Sequence, residues 1–314
     1  MNKIPRFFCI AIISLASATP GLAQPSGIPW IHFQWDSLKT GGKTYAKSAL
    51  LVPVRIRSFP QIYYMQLDTG AFDTIFYAVP KKVQDALLGD WHKGQPFYLP
   101  LHIGDTLLTL SGIRITTLSA DMKGPYPIIG TLGLNALLNF AVFIDFAHQR
   151  IAFIRPQHVR PSDIAGVSFV HITYRNDKIF IPITIDRVRY KDDFFYDSGS
   201  SLFSLSTRRS LWSQLTGRSP DDQRNEIMRV NQWNKTATVI GAKIHGVLSI
   251  GPINIPSAVA WVQTSGGTGG ALVTANYPVK GVIGNAPFYN CCMIVIDIPE
   301  QRFGITRSGL LPGQ

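Results

Sequence analysis

The chain contains the same short acidic motif twice, in matching surroundings. Residues 68–70 read Asp-Thr-Gly and residues 197–199 read Asp-Ser-Gly. A proline lies fifteen residues upstream of each aspartate, at Pro53 and at Pro182, and aliphatic residues accompany both prolines at alternate positions. The sequence therefore contains an internal duplication, and each copy supplies one aspartate.

The correspondence between the two copies continues downstream. In each copy two glycines stand ten residues apart, and the second one closes an Ile-Gly pair at Gly104 or at Gly251. Two further pairs of segments match: residues 130–133 with 281–284, and residues 143–145 with 295–297. A site made of two carboxyl groups at a pseudo-twofold axis is the arrangement that needs two copies of the motif rather than one.

Composition favours two β-rich lobes. Of the 314 residues, 46% are hydrophobic and 16% are charged, which is enough apolar surface for packed cores. Short runs of Val, Ile, Thr, Tyr and Phe alternate with Gly, Pro, Asn and Asp, a pattern typical of antiparallel sheets. We predict an all-β fold with short helices, with lobes at residues 24–154 and 167–314. The linker is residues 155–166, which contain two prolines and no clear periodicity.

Helical periodicity is brief. It favours helices over residues 81–88 and 206–215, and short turns after Gly133 and Gly284. Hairpins are predicted around residues 39–43 and 175–178, each followed by the strand that leads into an acidic motif.

The first 23 residues have the organisation of a secretory signal. Lys3 and Arg6 are basic, residues 7–18 are apolar, and residues 21–23 read Gly-Leu-Ala. We expect cleavage near Ala23 and a secreted or periplasmic mature protein. The alternative is an uncleaved anchor, for which the apolar run is short. No later segment offers eighteen consecutive apolar residues, so no stable membrane insertion is expected.

Charge, histidine spacing and cysteine content indicate which ligands and which disulfides to expect. The net charge of +11 is scattered along the chain, and no aromatic-lined basic patch indicates nucleic-acid binding. The seven histidines have no metal-ligand spacing, so we expect no metal and no cofactor. After processing only Cys291 and Cys292 remain. Neighbouring residues of a strand point to opposite faces, so a disulfide between Cys291 and Cys292 would require a strained turn. We therefore predict two buried thiols.

The acidic motif has a clear chemical logic. If Asp68 and Asp197 approach each other, the next side chain must be small and hydrogen-bonding, as Thr69 and Ser198 are. Their hydroxyls can then reach backbone groups of the opposite copy. Two adjacent carboxyls cannot both ionise cheaply, so they share one proton and can polarise a water molecule. The expected reaction is hydrolysis of a peptide bond without a covalent intermediate.

Glycine completes each motif. Gly70 and Gly199 permit a tight backbone turn and the close approach of the opposite loop. Ser200 follows Asp197 by three residues, where a hydroxyl could bond the ionised carboxylate, whereas the equivalent position after Asp68 is Ala71.

Together these features resemble the aspartic peptidases over most of residues 45–306. Residues 68–74 are similar to the retropepsin form of the motif, and residues 197–201 to the second-lobe form of pepsin-like enzymes. Residues 129–153 and 282–305 resemble the segments that close each lobe of that fold. The resemblance implies two six-stranded acid-protease lobes, an active site in the cleft between them, and a monomeric endopeptidase acting on polypeptides.

The resemblance also implies further site residues. Asp73 is a candidate for substrate contact, and the aromatic residue of a flap over the dyad is to be found among Trp91, Phe97 and Tyr98. A catalytically silent peptide-binding or inhibitor protein of the same fold is the alternative function. The repeated aspartates of residues 143–145 and 295–297 precede closing turns, and we expect them to be structural.

Overall fold

A computed structural model describes residues 27–56, 59–77, 79–89, 99–110, 113–116, 125–232, 235–255, 257–266, 279–289 and 292–307. Over these residues the protein is mostly β, with two α-helices, α1 (Lys81–Gly89) and α2 (Arg209–Thr216). Neither of these described helices combines the length and the apolar character that a membrane span requires. The predicted signal segment lies outside the described residues.

The first half of the chain forms eleven described strands. They are β1 (Ile31–His32), β2 (Gln34–Thr40), β3 (Lys43–Ile56), β4 (Tyr63–Asp68), β5 (Ile75–Phe76), β6 (Leu99–Ile103), β7 (Thr106–Leu110), β8 (Arg114–Ile115), β9 (Ile128–Gly133), β10 (Ala141–Asp145) and β11 (Arg150–Ile154). One sheet has the order β7-β6-β3-β4-β9-β5-β8, and β2 pairs with β3. Within it β4 runs parallel to β9, β9 is antiparallel to β5, and β5 is parallel to β8.

The second half forms fifteen described strands. They are β12 (Ser168–His171), β13 (Thr173–Arg175), β14 (Lys178–Phe180), β15 (Ile183–Ile185), β16 (Val188–Tyr190), β17 (Phe194–Tyr196), β18 (Leu205–Thr207), β19 (Glu226–Gln232), β20 (Lys235–Lys243), β21 (Leu248–Ile250), β22 (Ile253–Ile255), β23 (Val259–Gly266), β24 (Gly281–Ile283), β25 (Cys292–Asp297) and β26 (Arg302–Arg307). One sheet has the order β13-β14-β17-β24-β18-β23-β20-β19, and another the order β16-β15-β21-β22. Here β17 is parallel to β24, β24 is antiparallel to β18, and β18 is parallel to β23. These three pairings repeat those of β4, β9, β5 and β8.

A six-stranded sheet joins the two halves. Its order is β1-β11-β10-β25-β26-β12, so each half contributes three strands, and the antiparallel pair β10–β25 lies at its centre. Side chains alternate between its faces. Val142 and Ile296 pack in the main hydrophobic core, while Phe143 and Val295 pack in a separate cluster on the other face. The central pairing fixes where the two halves meet.

Two glycines at matching positions of the two halves, Gly130 and Gly281, are both required by the close approach of a neighbouring strand. A Cβ atom on Gly130 would lie 2.2 Å from the carbonyl oxygen of Ile75, and one on Gly281 would lie 2.4 Å from that of Ser206. Only glycine allows the neighbouring strand to approach this closely. The duplication seen in the sequence therefore extends to close backbone contacts.

The helix predictions are correct in place and nearly so in extent. Helix α1 spans the predicted segment, and 3-10 turns follow Gly133 and Gly284 as expected. Helix α2 begins at Arg209, three residues later than predicted, because residues 205–207 form strand β18 and pair with β23 and β24. The predicted linker contains two 3-10 turns, Pro156–His158 and Pro161–Ile164.

The prediction of a free thiol at Cys292 was wrong. Cys292 is fully buried and disulfide-bonded, and its partner lies outside the described residues. Strand β25 begins at Cys292.

Candidate active site

The two motif aspartates occupy equivalent ends of equivalent strands. Asp68 is the last residue of β4 and lies opposite Gly133 of the parallel strand β9. Asp197 directly follows β17, and its backbone N–H donates to the carbonyl oxygen of Ile283 in the parallel strand β24, at 2.9 Å. Parallel pairing in both halves therefore delivers each aspartate to a strand end.

Each carboxyl group lies against the glycine of the opposite motif. A Cβ atom on Gly70 would be 2.4 Å from Cγ of Asp197, and one on Gly199 would be 2.5 Å from Cγ of Asp68. These contacts leave no space for any side chain on either glycine. The two carboxyl groups therefore lie next to each other, close enough for each to change the pKa of the other.

The middle residues of the motifs lock the loops together. The Thr69 hydroxyl donates to the carbonyl oxygen of Tyr196 and accepts from the Ser198 N–H, both at 3.0 Å. The Ser198 hydroxyl accepts from the Thr69 N–H at 3.0 Å. Both side chains are fully buried. Each hydroxyl thus reaches a backbone group of the other half, which fixes the separation of the carboxyl groups.

Backbone N–H groups within each loop hold the carboxylates. Oδ1 of Asp68 accepts from the Ala71 N–H at 3.0 Å. Oδ1 of Asp197 accepts from the N–H groups of Gly199 and Ser200, at 2.9 and 3.2 Å. The bond from Ser200 to Asp197 is thus made by its backbone, as the bond from Ala71 to Asp68 is. This differs from the expectation that the Ser200 hydroxyl makes the two loops unequal.

Burial is the largest cause that raises the pKa of each aspartate, and the pKa of Asp197 is the more strongly raised of the two. The pKa of Asp197 is well above its ordinary value because of burial, the negative charge of Asp68 and the hydrogen bond with Asp68. Burial also raises the pKa of Asp68, but the interaction with Asp197, the backbone N–H groups of Ala71 and Gly70 and, least of all, the positive charge of Lys178 oppose the rise. Both carboxyls therefore resist ionisation, and because each acts on the other they titrate as a pair.

A buried asparagine supports the second loop. Nδ2 of Asn285 donates to the Ser198 carbonyl oxygen at 2.8 Å and to Oγ of Ser201 at 2.9 Å. Its Oδ1 accepts from the Tyr196 hydroxyl at 2.6 Å. Asn285 is fully buried. The sequence analysis missed this residue, although it follows directly after a matched glycine.

The first loop has a related support. Oγ1 of Thr74 donates to Oδ1 of Asn135 at 2.7 Å and accepts from the Gly133 N–H at 3.2 Å. Asn135 also lies just after a matched glycine. An asparagine one or two residues after the Gly-x-apolar-Gly segment is therefore the signal that would have found both supports.

The other acidic residues of the sequence analysis bind arginines. Oδ2 of the buried Asp145 accepts from Nε of Arg150 at 3.0 Å, as Oδ2 of Asp297 does from Nε of Arg302 at 2.8 Å. These two aspartates brace closing turns, as expected. Asp73, the candidate for substrate contact, forms an ion pair with Arg114, with 2.6 Å between its Oδ2 and the guanidinium.

The flap candidates Trp91, Phe97 and Tyr98 lie outside the described residues. Within the part of the chain that the structure describes, no three His, Cys, Asp or Glu side chains are grouped so that they could share a metal ion.

Comparison with known proteins gives a distant likeness. No family model and no curated protein matches the chain. Among solved structures, the chain is similar to conglutin gamma, a basic 7S globulin from lupine seeds, with 12% identity and a TM-score of 0.49. That match covers 88% of this chain and 94% of the globulin chain.

Proposed function

We propose that this protein is an aspartic endopeptidase in which Asp68 and Asp197 form the catalytic dyad. In this proposal the two halves are lobes related by a pseudo-twofold axis through the β10–β25 pair. The repeated order of parallel and antiparallel pairings in the two large sheets supports that relation. The dyad then lies in the cleft between the lobes.

The observation that carries the proposal is the mutual packing of two carboxyl groups on the two motif glycines. Burying two carboxyls against each other costs free energy, because one of them must remain protonated. A purely structural contact would gain nothing from that arrangement. A hydrolytic site gains both an acid and a base, at a fixed separation.

The proposed mechanism assigns one role to each aspartate. A water molecule lies between the carboxyl groups, and ionised Asp68 accepts a proton from it as it attacks the substrate carbonyl carbon. Protonated Asp197 donates to the carbonyl oxygen, on which negative charge develops. As the tetrahedral intermediate collapses, Asp68 gives its proton to the amide nitrogen, the C–N bond breaks, and a hydroxyl proton of the intermediate returns to Asp197.

Hydrolysis of an unfolded protein, followed across pH, tests the proposal. We expect a bell-shaped profile whose limbs belong to the pair. The Asp68→Asn variant should lose about 10²- to 10⁴-fold in kcat, the range that positioned acid–base groups supply. Asp85→Asn is the matched control, because Asp85 pairs with Lys81 on the exposed surface of α1.

Retained turnover in Asp68→Asn, or activity abolished only by a metal chelator, would contradict the dyad. Tight binding of peptides without cleavage by the wild-type protein would favour the catalytically silent alternative. The proposed location, secreted or periplasmic, is tested by the intact mass of exported protein. That mass should correspond to a chain that starts at Gln24, and a mass that retains residues 1–23 would contradict it.

A further inference from the structure

Two positive charges face each other at the tip of one hairpin. Strands β13 and β14 pair with Arg175 directly opposite Lys178. Asn176 and Asp177 form the turn between them, with φ angles of +50° and +57°. Like charges at directly opposed positions destabilise a strand pair. The hairpin therefore keeps a cation pair that its own stability does not favour.

Neither cation forms an ion pair with a carboxylate among the described residues. The Arg175 guanidinium donates to the backbone oxygen of Asp192 at 2.8 Å, and Lys178 donates to the backbone oxygen of Asp177 at 3.3 Å. The carboxylates of these two aspartates accept instead from Thr173 and Tyr174. Among the described residues, the side chains of the cation pair are therefore held by backbone oxygens and not by a carboxylate in direct contact.

Aromatic rings hold both cations in place. Cζ of Arg175 lies 4.4 Å from the ring centroid of Phe180, and Nζ of Lys178 lies 5.9 Å from that of Phe195. Both rings are almost completely buried. A cation over an aromatic ring is stabilised while its N–H groups stay available to another acceptor.

The cation pair lies beside the dyad. Strand β14 pairs with β17 through Phe180 and Phe195. If this antiparallel register is continued by two residues, Lys178 is level with Asp197, the residue that directly follows β17. The positive charge of Lys178 also acts on Asp68.

We propose that Arg175 and Lys178 form a basic subsite next to the dyad, which binds a carboxylate group of the peptide substrate. This inference rests on the proposed peptidase function. The carboxylate comes either from an Asp or Glu side chain near the scissile bond or from a free C-terminus. A guanidinium can bind a carboxylate through two parallel hydrogen bonds, and the ammonium adds a second charge.

Paired peptides test the subsite. One series carries Glu or Gln at successive positions around the scissile bond, and a second carries a free or an amidated C-terminus. For the wild-type protein we expect kcat/KM to be about tenfold higher for the acidic member at one position, the effect of one charge-assisted hydrogen bond. Preference in the first series assigns the subsite to a side chain, and preference in the second to the C-terminus.

Variants of the two basic residues test whether they cause the preference for acidic peptides. Arg175→Gln and Lys178→Gln, alone and together, should reduce the ratio of kcat/KM between acidic and neutral peptides towards one. The control is Arg189→Gln on the exposed β16, which should leave the ratio unchanged. If Lys178 acted only on the dyad, Lys178→Gln would shift the pH profile equally for both peptides and leave the ratio intact.

The proposal is overturned if the wild-type protein shows no preference in either series, or if the double variant keeps the preference. The test also separates this inference from the proposed function. If the protein cleaves no peptide, fluorescence anisotropy of the same labelled peptides measures whether the acidic member binds more tightly and whether the variants abolish the difference.

Discussion

The loop of Asp68 and the loop of Asp197 follow the same backbone course but surround their carboxyl groups differently. Asp197 is buried, with 7% exposure. Asn285 donates a hydrogen bond to the backbone of its loop at Ser198, and the negative charge of Asp68 raises its pKa. Asp68 is half-buried and is influenced by the positive charge of Lys178. The surroundings of the two carboxyls thus differ, and the proposed mechanism uses that difference to assign the acid and the base.

The largest expected effect comes from removing either member of the pair. Asp197→Asn should reduce kcat by about 10²- to 10⁴-fold, because the amide cannot supply the proton. The double variant with Asp68→Asn should be no worse than either single variant, because residues that act as one unit are non-additive. Single-turnover kinetics measures all three. Losses that multiply in the double variant would mean that the two aspartates act independently.

The next effect concerns the mutual glycine contacts. Gly70→Ala places a methyl group 2.4 Å from Cγ of Asp197, so the carboxyl groups must separate. A displacement of this kind should cost about 10²-fold in kcat/KM. Gly41→Ala at the tip of the β2–β3 hairpin is the control for backbone strain away from the dyad, since its φ is +54° but nothing lies within 4 Å of its Cβ. Wild-type kcat/KM in Gly70→Ala would show that the close approach is not needed.

The hydroxyls of the two motifs should contribute unequally to stability. Thr69→Val leaves the Tyr196 carbonyl oxygen and the Ser198 N–H unpaired, whereas Ser198→Ala leaves only the Thr69 N–H unpaired. Each buried group without a partner costs about 1–3 kcal/mol. Urea unfolding should therefore show the greater loss for Thr69→Val. An equal loss in the two variants would contradict a larger contribution of the Thr69 hydroxyl to stability.

The smallest expected effect is a change in how stability depends on pH. The pKa of Asp197 in the folded protein is above its ordinary value of 3.8. The contribution of this residue to the free energy of unfolding is therefore fully present below pH 3.8. The contribution is lost as pH rises through the folded pKa, at no more than about 1.4 kcal/mol per pH unit. Asp197→Asn should remove this decline from urea-unfolding free energies, and Asp85→Asn should keep it. A wild-type stability that rises through this range relative to Asp197→Asn would contradict the raised pKa.

The sequence predicted the parts of the molecule that repeat. The paired glycines, the strands before each aspartate and the turns after Gly133 and Gly284 are all local patterns with a fixed period or spacing. Contacts between the first and the second half of the chain were harder to predict. Tyr45 of the β2–β3 hairpin reaches Glu226 of β19 at 3.4 Å between Oη and Oε1, and nothing local in either segment indicates that contact.

Differences between the two loops were also hard to predict. The sequence places a serine at 200 and an alanine at 71, which suggested that a hydroxyl makes the loops unequal. The structure instead uses a backbone N–H at both positions, and the pKa of Asp197 is raised by burial and then by the negative charge of Asp68, a residue 129 positions earlier in the chain. Burial and long-range charge depend on the packed fold and leave no local signature.

The most direct test of the central claim is to observe the shared proton. Carbon-13 labelling of aspartate Cγ, with assignment through the Asp68→Asn and Asp197→Asn variants, reports the ionisation of each carboxyl by NMR. Between the two limbs of the activity profile, Asp197 should have the chemical shift of a protonated carboxyl and Asp68 that of a carboxylate. Two carboxylates at that pH, each titrating independently near its ordinary pKa, would contradict the dyad.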